Sequence, residues 1–367
     1  MQNIIIAGAG PVGLFCALEL ASYKKYSLVL DSILNNPAPW SNSRTIALSY
    51  GSMQLLRKLN IDFTNVQIQP IKHVHISNHG KWGSSEMFAK DYKVEALGYT
   101  IGYSDLCNCL YKAAKNNQYI SFKPYKLQQH EYDEKNDRVI CKANDEEYIT
   151  PILIISEGAK VDNPNDKQYK IYPNNQYAHV GWVKIDNIPA KYKHTTFERF
   201  TNQGPLALLP YKHNDYNYAI VWCNFGSDNL LTIENLQDTI SYRIGKINQL
   251  VITQKFNLIQ QKRLLLHTNN VVYIGNSAQS LHPVAAQGLN LGFRQAHVLV
   301  DTVINNQTLS AYAYNIAKDR ESMLFTTYLM SNIFTKNIPL LGLSLNLIDI
   351  LPSVKTKFAR HFMFGRR

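Results

Sequence analysis

The stretch NIIIAGAGPVGLFCALELASYKKYSLVLD, residues 3–31, decides the fold. Asn3–Ala7 is a short apolar run of strand type, Pro11–Tyr23 carries helical periodicity, and Ser27–Asp31 is a second apolar strand. Between the first strand and the helix stand Gly8, Gly10 and Gly13, in the spacing G-x-G-x-x-G. In such a unit the first glycine permits the tight turn and the second lets a pyrophosphate reach the backbone. The third lets helix and strand pack closely. The helix start then offers unpaired N–H groups and the positive end of its dipole to phosphate. Asp31 closes the next strand, where an acid can bind ribose hydroxyls. Its charge would repel a 2′-phosphate, which disfavours NADP in this pocket. The unit reads as a dinucleotide site and leaves NAD and FAD both open.

Working outward, residues 44–60 read as a helix, Ile71–Ser77 as a strand, Gly80–Ser85 as a loop and Ser104–Lys115 as a helix. Ile152–Ser156 is another short buried strand, and the polar run after Gly158 reads as a linker. Four β-rich runs follow, Ala178–Ile185, Thr195–Phe200, Leu206–Pro210 and Tyr218–Cys223, and then a helix over Leu236–Ile247. Val271–Ile274 returns to a buried strand, Gly288–Val303 is helical, and the last 60 residues look mostly helical. This order predicts an α/β nucleotide-binding domain of Rossmann type, assembled from separated segments, with an inserted antiparallel β-sheet domain and a helical C-terminus. The expected boundaries are 1–70, 97–160 and 264–337 for the first domain and 71–96 and 161–263 for the second. A helical basic tail is expected over 338–367.

Composition narrows the class. The 367 residues are 45% hydrophobic and 18% charged, which excludes a disordered or collagen-like chain. A net charge of +11 leaves nucleic acid, an acidic membrane surface or an anionic small molecule as partners. The charges are dispersed and no nucleic-acid module is present, so nucleic acid is disfavoured. Five scattered cysteines make neither a disulfide framework nor a zinc site, so reduced thiols, a cytoplasmic setting and no metal are expected. The apolar N-terminus lacks a basic leader region, and no segment reaches the ~18–20 apolar residues of a membrane span. No G-x-S-x-G, HExxH or Walker A sequence points to a hydrolase, metalloprotease or nucleotidase.

Four segments taken together carry a resemblance: GAGPVG at 8–13, SRTIALSYGS at 43–52, ERFTNQGPLALLP at 198–210 and the stretch 275–292. In this order they resemble the FAD-dependent aromatic hydroxylases (class A flavoprotein monooxygenases), most closely the ubiquinone-biosynthesis hydroxylases of the UbiH, UbiF and VisC type. The resemblance implies that Gly8, Gly10, Pro11, Val12, Gly13 and Asp31 hold the ADP half of FAD, and that Arg44 meets its phosphate and ribitol portion. Glu157 and Gly158 stand where the family has Asp-Gly, and Gly275 and Asn276 stand at its second FAD motif. Pro283 would lie near the isoalloxazine ring. Gln287, Gly288, Leu289 and Asn290 begin a helix at the flavin pyrimidine edge, so Pro283 and Gly288 form the flavin environment. No classical acid or base is implied. There are departures: Glu157 replaces Asp, Lys160 is the nearest cation after it, Ala286 replaces Gly, and Tyr103 and Ser104 stand where an Arg is common.

The activity implied is hydroxylation of the aromatic ring of a prenylated phenolic precursor of ubiquinone, using NADPH or NADH, O2 and a peroxyflavin intermediate. Alternatives are a hydroxylase of an unprenylated aromatic acid, or a catalytically decayed relative serving as a subunit of a biosynthetic complex. Phe197, Phe200 and the Pro205–Pro210 strand could line the cavity above the flavin, though each also suits a sheet core. His282 reads as a proton-transfer candidate or as a hydrogen-bonded loop residue, and Arg199 as a surface cation. The apolar run 338–351 followed by Lys355, Lys357, Arg360, Arg366 and Arg367 could lie at the inner-membrane surface, or pack on the protein or a partner.

Overall fold

The computed structural model describes residues 3–41, 44–80, 83–159, 168–172, 175–226, 231–240, 244–333 and 351–366. Its first layer is a six-stranded sheet ordered His267–Thr268, Val271–Tyr273, Leu153–Ile155, Ile4–Ala7, Ser27–Leu30 and Ile120–Lys123. All neighbours run parallel except the first pair. A parallel sheet must be covered on both faces, so its strands read as continuous apolar runs; Ile4–Ala7 is buried throughout. Helix α1 (Pro11–Ser22) packs on this sheet with Pro11 to Ala21 all buried. Full burial of Leu14, Phe15 and Leu20 stabilises the layer by about 1.5–3 kcal/mol each. The Phe15 ring lies 5.0 Å from Phe293 of a later helix.

The second layer is a seven-stranded sheet ordered Lys246–Asn257, Gln176–Asp186, Tyr216–Phe225, Gly204–His213, Thr195–Thr201, His73–Asn78 and Ser84–Phe88. It is antiparallel apart from one parallel pair, Thr195–Thr201 beside His73–Asn78. A three-stranded sheet of Thr45–Ser49, Gly98–Gly102 and Ile68–Ile71 lies between the layers. The architecture is the expected α/β fold with an antiparallel sheet inserted between segments of the nucleotide-binding layer.

Two expected helices differ. Residues 44–60 begin as the strand Thr45–Ser49, because Ile46 pairs with Ile101 and Leu48 with Tyr99 across an antiparallel ladder. Only then does α2 (Tyr50–Lys58) start, with the Ser49 hydroxyl accepting from the Ser52 N–H at its N-cap. After α3 (Tyr103–Lys115), the helix expected over Leu236–Ile247 is α4 (Ile233–Ile240); the chain is in a strand again from Lys246. The C-terminal helices are α5 (Gln287–Ile304), α6 (Leu309–Ile333) and α7 (Pro352–Phe364). Most of the apolar run 338–351, residues 160–167 of the linker and part of the Gly80–Ser85 loop lie outside the described residues. All five thiols are free, and burial pushes those of Cys107 and Cys141 up to about 12.

Helix α7 packs on the body of the protein. Ala359 and Met363 are buried against Ile76, Met87, Phe200 and Met330. The chain beyond it is tied by the Arg366 N–H, which donates to Asp319 at 2.8 Å. Asp319 also pairs with Arg294 at 2.6 Å, both side chains nearly buried. No helix among the described residues is long and apolar enough to cross a membrane.

Candidate active site

The glycine turn is built by contact as well as by conformation. A Cβ on Gly13 would stand 2.0 Å from the Gly8 carbonyl oxygen, so only glycine lets α1 start this close to the strand before it. A Cβ on Gly10, by contrast, would meet nothing within 4 Å, because Gly10 faces a large cleft. Gly10 caps α1 without any side-chain hydrogen bond, and the first free N–H groups of the helix point the same way. Asp31 braces the turn: its Oδ2 accepts from the Ala9 N–H at 2.7 Å and its Oδ1 from Ile33 at 2.9 Å. An ionised carboxyl has about four acceptor positions, so Asp31 can still receive ribose hydroxyls.

The cleft holds about 830 Å³ and lies at the carboxyl ends of the parallel strands, the place where open α/β sheets bind ligands. Eleven of the expected residues line it: Gly10, Pro11, Val12, Asp31, Arg44, Glu157, Gly158, Asn276, Pro283, Gly288 and Leu289. They come from five separate parts of the chain. Gly8, Gly13 and Gly275 lie behind the wall, where Gly275 packs against Val12. Gln287 and Asn290 face a neighbouring cavity instead. Asn290 ties α5 to the Thr45–Ser49 strand, accepting from the Ser49 N–H at 2.8 Å and donating to the Ala47 carbonyl at 3.1 Å.

Two helix N-termini thus meet one cleft. Gly288, the second residue of α5, has open space at its Cβ position just as Gly10 has. The α5 start is tightly wound: Ala285 and Ala286 both take positive φ, 60° and 49°. A left-handed alanine costs roughly 1–2 kcal/mol relative to the right-handed region, so the Ala286 departure is accommodated with strain. Arg44 stacks its guanidinium 4.0 Å from the centre of the Tyr103 ring. Tyr103 therefore supports the one arginine of the cleft. These features suit a large anionic dinucleotide: unpaired helix N–H groups, room against the glycine backbone, an acid at the ribose position and a fixed cation.

Sequence reading missed the support behind the Gly275–Asn276 turn. The Gly275 N–H donates to Gln295 Oε1 at 2.9 Å, Gln295 donates to Gln279 at 2.8 Å, and Arg320 donates to the same Gln279 oxygen at 2.9 Å. It also passed over Glu198, which lines both the cleft and the neighbouring cavity. Of the residues named for the substrate face, Ala207 and Leu209 line the cleft. Phe197 packs in the core under α4, Phe200 packs near α7, and Arg199 donates to Ser77 Oγ at 2.9 Å.

His282 is a hydrogen-bonded loop residue. The Val284 N–H donates to its Nδ1 at 3.1 Å, so Nε2 carries the proton and donates to Gln176 Oε1 at 2.8 Å. Burial pushes the imidazole down to about 3, against an unfolded value near 6.5. Between those values the unfolded chain takes up a proton that the folded chain refuses. The stability His282 contributes is therefore full above pH ~6.5 and is lost as pH falls toward 3. Relative to His282→Gln, wild type should lose about 1 kcal/mol more stability per pH unit between roughly pH 6 and 4. Urea midpoints across that range check this; parallel curves for the two proteins would refute it.

Comparison with known proteins agrees with this geometry. Residues 1–308 match the family model described as FAD binding domain. The ubiquinone hydroxylase UbiM of Neisseria meningitidis is 22% identical over 323 residues, covering 83% of this chain and 68% of that protein. The 3-demethoxyubiquinol 3-hydroxylase of Escherichia coli is 25% identical over 325 residues, covering 83% and 80%. Among solved structures, p-nitrophenol 4-monooxygenase PnpA of Pseudomonas putida superposes with a TM-score of 0.74 at 13% identity over 100% of this chain and 99% of that one. HpxO of Klebsiella pneumoniae, complexed with FAD, gives 0.72 at 12% identity over 99% and 98%. With the family model spanning most of the chain and the cleft shaped for a dinucleotide, this protein belongs to the FAD binding domain family.

Proposed function

We propose that the protein is an FAD-dependent monooxygenase that hydroxylates the aromatic ring of a phenolic substrate, of the prenylated kind found in ubiquinone biosynthesis. The observation that carries this is the junction of two cavities. The dinucleotide cleft shares Ala47, Glu198, Leu209 and Ala286 with an apolar cavity of about 120 Å³. A cavity near 150 Å³ accepts a benzene-sized ring. Bound FAD, with NADPH or NADH as electron donor, would supply the oxygen chemistry, by which one atom of O2 would go to an electron-rich ring and the other to water. The residues of this chain do the rest. Gly10, Val12 and Gly288 present backbone to the cofactor, Asp31 receives its ribose and Arg44 meets its charge. Ile76, Met87, Met330 and Phe362 keep water from the ring.

The second enzymatic reading, an aromatic acid as substrate, is less well supported. Among the described residues lining the apolar cavity there is no lysine, arginine or histidine to meet a carboxylate. Purified protein should be yellow. Phenolic substrate should accelerate its NAD(P)H oxidation, with hydroxylated product formed in proportion. Colourless protein that FAD cannot reconstitute would overturn the proposal.

We place the reaction at the periphery of an anionic membrane, where long-tailed substrates reside. Helix α7 supports this, since Leu351, Val354, Lys357 and Arg360 are exposed while Ala359 and Met363 are buried. Juxtamembrane basic residues contribute about 1 kcal/mol each at an anionic surface. Reversing both charges with Lys357→Glu and Arg360→Glu should weaken binding to phosphatidylserine vesicles by at least roughly tenfold. Equal flotation of variant and wild type would refute the membrane role. Truncation is a poorer test, because α7 also walls the cavity.

A further inference from the structure

Glu198 sits on the central strand Thr195–Thr201, paired with Ala207 on one side and Ile76 on the other. Strand alternation places Thr196 and Glu198 on the face toward the cavities, while Phe197 points into the core under α4. The side chain stands where the two cavities meet and lines both. It is 9% exposed, and no hydrogen-bond or ion-pair partner among the described residues holds its carboxyl. The buried Cys223 thiol is a titratable neighbour.

A carboxyl group in such a place is costly unless something satisfies it. Burial pushes the Glu198 carboxyl up to about 8, so near neutrality it is mostly protonated. A protonated carboxyl both donates and accepts, which is the complement of a phenol hydroxyl. A carboxylate ligand would instead bring a charge to an apolar wall with no cation among its described residues. We propose that Glu198 is the hydroxyl-recognising residue of the substrate site: its carboxyl hydrogen-bonds the ring hydroxyl of a phenol whose ring enters the apolar cavity from the junction, and so sets which ring edge faces the dinucleotide cleft. This deepens the hydroxylase reading and rests on it. It assigns Glu198 to specificity and orientation, and requires no bond to be made or broken at the carboxyl.

The probe pair is 4-methylphenol and its methyl ether, titrated calorimetrically at pH 7 into the protein as purified. The ether carries a methyl group in place of the hydroxyl hydrogen and can accept but not donate, so the change in their affinity ratio from wild type to variant reads hydroxyl recognition. Wild type should prefer the phenol by roughly tenfold or more, the range for a buried hydrogen bond left unmade. Glu198→Gln retains a donor and an acceptor and should keep most of that preference. Glu198→Leu should reduce it to within about twofold while the ether binds as tightly as before. Undiminished phenol preference in Glu198→Leu, or no preference in wild type, overturns the assignment. The calorimetry reads binding and not turnover, so the two readings fail separately. Protein that cannot hold FAD refutes the hydroxylase reading, and an unchanged ligand ratio refutes only the role of Glu198.

Discussion

Gly10→Val is expected to abolish FAD retention while the fold survives. The argument is the contrast between two glycines three residues apart. At Gly10 the backbone is extended, φ −71° and ψ 175°, and the side chain would enter the open cleft without touching the protein. The added isopropyl group would occupy the space through which a pyrophosphate reaches the first helix N–H groups. Losing two charge-assisted hydrogen bonds, at about 1.5–3 kcal/mol each, weakens binding roughly a hundredfold or more. The variant also loses a tolerable N-cap, which costs about 1 kcal/mol and a melting temperature lower by about 2–4 °C. At Gly13 the same substitution would drive a side chain into the Gly8 carbonyl and the Ser156 hydroxyl. Gly13→Val should therefore yield little folded protein. The pair is read by flavin absorbance after gel filtration and by thermal melting. Full FAD affinity in Gly10→Val would refute the placement of the pyrophosphate.

The second large effect concerns Asp319→Ala. Asp319 is 3% exposed, pairs with Arg294 and holds the Arg366 N–H after α7. Removing it leaves the Arg294 charge buried without its counterion, a change that typically costs 3–5 kcal/mol. It also frees the end of α7, whose Phe358, Phe362 and Met363 wall the apolar cavity. We expect a loss of about 3–5 kcal/mol in urea unfolding. Early proteolysis should fall in α7, and dye binding should report the exposed cavity. Asp319→Asn, which keeps a hydrogen-bond acceptor, should lose less. A stability change under about 1 kcal/mol would show that the pair is dispensable.

What the sequence made legible was local chemistry. The strand, turn and helix from Ile4 to Leu30 fall within a residue or so of where glycine, proline and apolar runs predict them. The helix after Gln287 was readable for the same reason. Thr45–Ser49 was not, because its helical spacing continues smoothly into α2. Its strand state comes from pairing with residues some fifty positions away, and such pairing overrides weak local propensity. The site divides in the same way. The glycines and Asp31 announce themselves by spacing. Glu198 looked like a charge between two phenylalanines, and only the sheet shows that alternation turns it, not Phe197, toward the cavities. The Gln279–Gln295–Arg320 brace has no local signature, since its members are brought together from separate helices and a strand.

One consequence follows from α7 as the wall of the apolar cavity. The dinucleotide cleft is complete once α5 has formed, near residue 304. Among the described residues, the wall of the cavity beside it is completed by residues 358–363, some fifty positions further along the chain. At about 5–20 residues per second, a nascent chain spends several seconds with a finished cofactor cleft and an open apolar trough lined by Ile76, Met87 and Met330. Production of this protein is thus exposed to aggregation while the stretch between α5 and α7 is being synthesised. Loss of α7 from the mature protein would return it to that same open state, able to hold cofactor but no longer able to shelter its substrate from water.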